Sequence, residues 1–325
     1  GHLGGLNFAN LGTCGHSLKI FTLVAVALAA MSANAQDYYA AATYDADKNV
    51  VMAEEFQNAV IDTQNGKSVV TVDLTNVTMT AVGGTTPKEI DKDANVSEWN
   101  AIEWKTGNQG DIEFPYVQGT GNPYVKLLAE EVITDGQPTG TYRPAYEYYE
   151  PDGSKGLPVS GLYYEFKAKA EGTLVLGVWI NKGNRKLFVV DKETQKALTP
   201  NVDYTLDGYE NGVTNEDGTK AYNMNLPTKG TEGDDLYIWG AKGGSQAIWG
   251  WLNIPMKADQ TYMVFLHSAQ IGVSDVKFKA GTSGINDITN NTFDADAPVY
   301  NLAGQRVSKD AKGILIQNGK KFIRK

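Results

Sequence analysis

The chain has 325 residues, with 38 Asp and Glu against 29 Lys and Arg, a net charge of −9, six Trp, seventeen Tyr and ten Phe. That acidity excludes a protein that holds nucleic acid by neutralising phosphates, which needs a basic face. One Cys and three His leave little room for thiol or imidazole chemistry, and the length admits about two domains.

In chain order the first feature is Lys19, followed by the apolar run from Ile20 to Met31 and then Ala33-Asn34-Ala35. A cationic start, a short apolar stretch and a small-x-small site predict a secretory signal peptide over residues 1–35. The run is about twelve residues, short of the roughly twenty that span a bilayer. The exported chain is therefore expected to start at Gln36, secreted or on the outer cell surface, with no membrane span. Gly1 to Gly15 lie upstream of a normal cationic start and are set aside as upstream residues. With the leader go Cys14, His2 and His16, so disulfides and Cys-based zinc sites are excluded. His267 is then the one remaining imidazole. It closes the apolar run Thr261 to Leu266, which reads as the end of a core strand, and no Gly-x-Ser-x-Gly elbow accompanies it.

From residue 67 onward short runs rich in Val, Ile, Thr, Tyr and Phe alternate with Gly, Asn, Asp and Pro. Strands are predicted at Ser68 to Leu74, Val77 to Val82, Ala101 to Lys105, Leu162 to Ala168, Thr173 to Ile180, Lys186 to Asp191, Leu236 to Trp239, Ile248 to Met256, Thr261 to His267 and Val273 to Lys279. Short helices are predicted at Ala53 to Val60 and Tyr124 to Val132. Long polar loops fall at Gly136 to Ser160, which holds Tyr142, Tyr146, Tyr148 and Tyr149, and at Asp203 to Asp235. The expected fold is all-β, a jelly-roll type β-sandwich or two of them, over 36–280 with a sub-boundary near 136–160. A linker follows at 281–298, and a small C-terminal β appendage at 299–325.

Period-two reading assigns faces. Ile248, Leu252 and Ile254 point one way, and Trp249, Trp251 and Asn253 the other. Leu236 to Trp239 splits likewise, with Tyr237 and Trp239 together, and the glycine-rich Gly240 to Ala247 suits a hairpin loop. Thr173 to Ile180 sets Leu174, Leu176, Val178 and Ile180 against Trp179. If the Leu236 and Ile248 runs pair, Tyr237, Trp239, Trp249 and Trp251 share a face with Asn253. Flat rings beside an amide suit a carbohydrate, whose C–H faces stack while its hydroxyls need placed hydrogen bonds. The bland alternative is that these rings lie beneath loops as a second small core. Trp99 and Trp104, five residues apart, cannot share a face of one strand.

Glycoside hydrolysis uses two carboxylates, and Asp111 with Glu113, Glu130 with Glu131, Glu147 with Glu150, and Asp234 with Asp235 are the neighbouring pairs; none is assigned a catalytic role. Asp45-Ala46-Asp47-Lys48-Asn49 opens like a calcium loop but has Val50 and Phe56 where Gly and Glu belong, so it reads as a solvated turn. No cofactor is expected; a structural calcium is compatible with the class, with no ligands identified. Phosphate loops and dinucleotide fingerprints are absent from the sequence.

The segment Val299-Tyr300-Asn301-Leu302-Ala303-Gly304-Gln305-Arg306-Val307, then Lys312-Gly313-Ile314-Leu315-Ile316-Gln317-Asn318-Gly319-Lys320-Lys321, ending in Lys325, resembles the C-terminal sorting tail of proteins exported by the type IX secretion system of Bacteroidota. Leu315 stands where that family usually has Tyr, and the tail is shorter than the full sorting domain. The resemblance implies contact with that secretion machinery. Gly161 to Phe166 with Gly172-Thr173-Leu174, and Ile254 to Tyr262 with Val273 to Phe278, resemble the jelly-roll, galactose-binding-like modules of secreted Bacteroidota proteins, which implies sugar binding at the cell surface.

The expectation is thus a non-catalytic glycan-binding or polysaccharide-binding protein using Tyr237, Trp239, Trp249 and Trp251 as stacking rings and Asn253 as hydrogen-bonding partner. The alternatives are a polysaccharide-degrading enzyme, glycosidase or lyase, and a surface adhesin.

Overall fold

The computed structural model describes residues 37–109, 114–208, 210–214, 220–222, 233–240, 247–281, 299–301, 306–308, 310–317 and 320–324. The leader, the linker beyond Gly281, Asp111 and Glu113 therefore lie outside the described residues. The chain divides into two units, Gly1–Ala280 and Gly281–Lys325.

The first unit is an all-β sandwich of two antiparallel sheets. One sheet runs in the order Thr205–Gly208, Ile248–Met256, Gly172–Ile180, Ile271–Ala280, Pro115–Gln118, Lys105–Asn108, with Asp37–Ala40 also paired to Ile271–Ala280. The other runs Leu187–Asp191, Thr261–Leu266, Tyr163–Ala168, Val77–Gly84, Lys67–Asp73, Ile61–Asp62. Pro115–Gln118, Tyr163–Ala168, Gly172–Ile180 and Leu187–Asp191 fall in alternate sheets. The returning strands Ile248–Met256, Thr261–Leu266 and Ile271–Ala280 alternate again and lie beside them. That double wrap is jelly-roll wiring.

Alternation dictates the core. Leu174, Leu176, Val178 and Ile180 from one sheet meet Val70, Val72, Met79, Phe166, Val189, Val264 and Leu266 from the other in a single buried cluster. One core means one sandwich, which settles the choice between one and two. Each such aliphatic side chain, taken wholly from water, contributes about 1.5–3 kcal/mol. Beyond the strands, the Glu54–Gln57 helix adds Phe56 to this core as a single turn, shorter than the segment expected over Ala53 to Val60.

Four expectations need correction. Tyr124 to Val132 is not a helix, and half of Gly136 to Ser160 is not a loop: Lys126–Thr134 and Gln137–Glu147 form a two-stranded hairpin. The helix-favouring Leu127-Leu128-Ala129-Glu130-Glu131 is overruled by the turn. Asp135 and Gly136 both take positive φ, 51° and 78°, the pair that a two-residue hairpin loop requires. Leu236 to Trp239 is not a strand. It follows the Gly233–Asp235 3-10 turn and meets the sheet backbone at an isolated bridge between Ile238 and Lys186, where Leu187 N–H donates to Tyr237 O at 2.9 Å. Ala101 to Lys105 becomes regular only at Lys105–Asn108. The preceding stretch instead drops Trp104 into the core, where its Nε1–H donates to Ser68 Oγ at 2.9 Å and its ring meets Phe56 edge-on at 4.9 Å.

The second unit is a separate antiparallel sheet in the order Arg306–Val307, Val299–Asn301, Gly313–Gln317, Lys320–Arg324. Among the described residues no helix is long and apolar enough to cross a membrane.

Candidate functional site

The outer face of the seven-stranded sheet carries the rings. Strand pairing sets them in rows, since directly opposed residues share a face. In one row Trp249 lies opposite Trp179, which lies opposite Gly272. In the next, Asp207 pairs with Trp251, and Trp251 with Gly177. In the third, Thr205, Asn253, Val175, Lys277 and Tyr38 follow one another across the sheet.

The two glycines make the rows possible. A Cβ at Gly272 would collide with the Tyr116 ring, which lies over that position and stacks on Trp179 at 4.3 Å and 8°. A Cβ at Gly177 would strike the Asp275 carboxylate. Because the carboxylate occupies that gap, Trp251 Nε1–H reaches Asp275 Oδ1 at 3.2 Å, and Lys277 Nζ pairs with Asp275 Oδ2 at 2.9 Å. On the other flank Asn253 Nδ2–H donates to Asp207 Oδ2 at 2.7 Å. Trp179 Nε1–H donates to Gln109 Oε1 at 2.6 Å. Both half-buried indoles are thus anchored through their N–H groups, leaving ring carbons as their solvent-facing part. Lys277 also sits 5.5 Å from the centroid of the exposed Tyr38 ring, a cation–π distance. Burial pushes the Tyr116 phenol above its ordinary pKa, so it stays protonated and neutral.

The five residues predicted to form the site part company. Trp249, Trp251 and Asn253 do face outward together, opposite Ile248, Leu252 and Ile254 in the core. Trp249, however, is only 5% exposed, packed with Phe114 and Tyr116. Phe114 also meets Trp251 edge-on at 5.8 Å. Trp239 does not join this face. It lies in the central core, 3% exposed and 5.8 Å from the Tyr204 ring. Tyr237 lies on the outer side of the other sheet, 5.0 Å from Phe188. The reason is local: a turn rather than a strand carries residues 236–239, so period-two alternation does not apply to them. Trp179 takes the place they were expected to fill. Its face was legible from the alternation of Leu174, Leu176, Val178 and Ile180; its pairing with Trp249 and its stacking on Tyr116 needed the register.

His267 follows the Thr261–Leu266 strand in a turn, half-buried against Tyr148 at 4.9 Å. Burial, then the positive charge of Lys186, pushes its pKa below the ordinary value. Glu130 and Glu131 sit on the exposed hairpin, with Glu130 paired to Arg143 at 3.1 Å, and Glu147 pairs with Lys155 at 3.0 Å. The Asp45 carboxylate is taken up by its own loop, accepting from the Asp47 and Asn49 backbone N–H groups and from Asn49 Nδ2 at 2.8–3.1 Å. The turn Asp91 to Asn95 repeats that arrangement bond for bond, with Lys48 and Ala94 both at φ 64°. These are self-closed Asx turns. Among the described residues no group of three or more His, Cys, Asp or Glu is placed to hold a metal ion.

No known family matches the chain, and no curated protein matches it in sequence.

Proposed function

We propose that this is a secreted or surface-attached, non-catalytic glycan-binding protein. Its ligand stacks on Trp179 and Trp251 and is hydrogen-bonded by Asn253 and the carboxylates beside it, Asp207 and Asp275. The observation that carries the reading is the anchoring of both half-exposed indoles, through Gln109 and Asp275. Anchored rings lose little freedom when a ligand arrives, so most of the stacking energy is retained as affinity. Trp249 supports the platform from beneath, and Tyr237 and Trp239 have no part in it.

The test is affinity electrophoresis of the full chain against soluble plant and host polysaccharides. Binding is expected to fall at least tenfold in Trp251→Ala combined with Trp179→Ala, and to persist in Tyr237→Ala. Unchanged retention of the double variant would defeat this assignment; reducing-sugar release or unsaturated product from the same polysaccharides would favour the enzyme reading instead.

The second unit is read as a sorting tail of the type IX kind. Its pattern from Tyr300 to Arg306, the basic residues of its last strand and its folding as its own small sheet support this. Export from a type IX-competent host with and without residues 299–325 tests it, and equal export of both forms would refute it.

A further inference from the structure

A cleft of about 410 Å³ opens elsewhere on the sandwich, lined by Trp99, Tyr124, Ser160 and the Asp62–Lys67 turn. Its wall is built with unusual care for a surface ring. Gly66 has a φ of 62°, and a Cβ there would run into the Trp99 indole. The ring therefore lies flat against the turn backbone, a position only glycine permits at this φ. Trp99 Nε1–H then donates to Gln64 O at 2.9 Å. The turn itself is locked by Asp62, whose carboxylate accepts from the backbone N–H of Gln64 and of Asn65 and from Asn65 Nδ2, at 2.7–3.1 Å. Those bonds hold the Asp62 carboxyl below the usual carboxylate range. Tyr124, buried, lines the cleft, and the Lys67 ammonium stem flanks it.

The geometry points to a second saccharide-binding site in this cleft, one pyranose of a neutral polysaccharide stacking on Trp99 with its hydroxyls met by Asn65 and Lys67. Three things separate this ring from an incidental surface Trp. One face is backed by backbone, its polar atom is already satisfied, and it borders a shallow, open concavity of about 410 Å³. A half-buried indole kept this rigid contributes stacking at little ordering cost. The inference rests on the glycan reading given above but on residues that share nothing with the Trp179 and Trp251 face, so the protein would hold a polysaccharide at two places, with the gain in retention that two linked contacts bring.

Titration calorimetry of the full chain with short neutral oligosaccharides, mannan-, glucan- and galactan-derived, tests it. Wild type is expected to bind two equivalents, and Trp99→Ala one, with at least a tenfold loss in the affected component. Trp99→Phe, which keeps a stacking ring, restores most of it. Val159→Arg places a long side chain in the cleft from an exposed rim position and is expected to block the same component without touching the core, so the test survives even if Trp99→Ala folds poorly. Full stoichiometry and affinity in both Trp99→Ala and Val159→Arg would overturn the second site. Loss of one equivalent in the Trp179 and Trp251 double variant alone would leave the sheet-face reading standing and this one refuted. The reverse pattern would refute the sheet face and keep the cleft, and absence of any binding by wild type would overturn both.

Discussion

Leu252 and Trp251 are chain neighbours on opposite faces of one strand, and substituting each in turn tests the register on which the site depends. Leu252 is wholly buried and lies between Leu176 and Leu206 on the flanking strands. Truncating a leucine in such a setting removes its transfer energy and leaves a cavity that rigid neighbours fill poorly, so Leu252→Ala is expected to cost about 3–4 kcal/mol. In a unit of this size each kcal/mol lowers Tm by roughly 2–4 °C, giving a fall of about 10 °C. Trp251 is the larger residue but is half-buried, and its loss opens the surface rather than a sealed void. Trp251→Ala is expected to cost about 2 kcal/mol, mostly from ring burial and the bond to Asp275. Urea unfolding followed by near-ultraviolet circular dichroism gives both numbers from the midpoint shift at constant m. If Trp251→Ala proved the more damaging, the strand would be slipped by one residue, every face would be exchanged, and the aromatic platform would have to be abandoned.

Other consequences can be measured in the same way. Trp104→Phe removes the donor to Ser68 Oγ inside the core and is expected to cost about 1–2 kcal/mol in urea, with Ser68→Ala costing less in the Phe background than in wild type. Gly136→Ala meets no neighbouring atom but must adopt φ 78°. Its cost of about 1 kcal/mol is therefore purely conformational, seen as faster hydrogen exchange across 126–147 with exchange in the sandwich unaltered. His267 titrates lower when folded than unfolded. The unfolded chain then binds the extra proton first, so stability is full above the ordinary histidine pKa of about 6.5 and declines as pH falls below it. Tm measured from pH 8 to pH 5 should fall less steeply in His267→Gln, and identical slopes would show that burial does not govern this histidine.

Strands with strict alternation and a buried face were plain in the sequence: Ile248–Met256 was read to the residue, and Thr173 to Ile180 within one. Hydrophobic burial on one face fixes such segments regardless of their partners. The Lys126–Thr134 and Gln137–Glu147 hairpin was missed because it is largely exposed, and exposure removes the periodic signal. Leu-Leu-Ala-Glu-Glu then looks helical, and Pro138 and Pro144 look like loop. The overlooked cue was Asp135-Gly136, a two-residue turn signal between two runs. Of the candidate site, the outward direction of Trp249, Trp251 and Asn253 was legible. That Trp249 would be covered was not, because Phe114 and Tyr116 reach it from a strand more than a hundred residues away. The assignment of Tyr237 and Trp239 failed at secondary structure. Trp99 is set aside in the sequence with Trp104 because five residues separate them, and the glycine that seats its ring, Gly66, stands thirty-three positions earlier.

The pairing of Asp37–Ala40 with Ile271–Ala280 has a directional consequence. Asp37 lies opposite Phe278, and Ala280 opposite Gly172, so the described chain enters and leaves the sandwich at one pole. Trp179, beside Gly272, is seven residues further along, about 25 Å at the rise of an extended strand. Trp179 thus lies at the opposite pole of its sheet from Asp37 and Ala280. The adjacency of Asp37 and Ala280 makes the sandwich a good subject for circular permutation: joining Ala280 back to Asp37 with a short linker and opening the Asp135-Gly136 turn would move the chain ends to the exposed hairpin and leave the core intact.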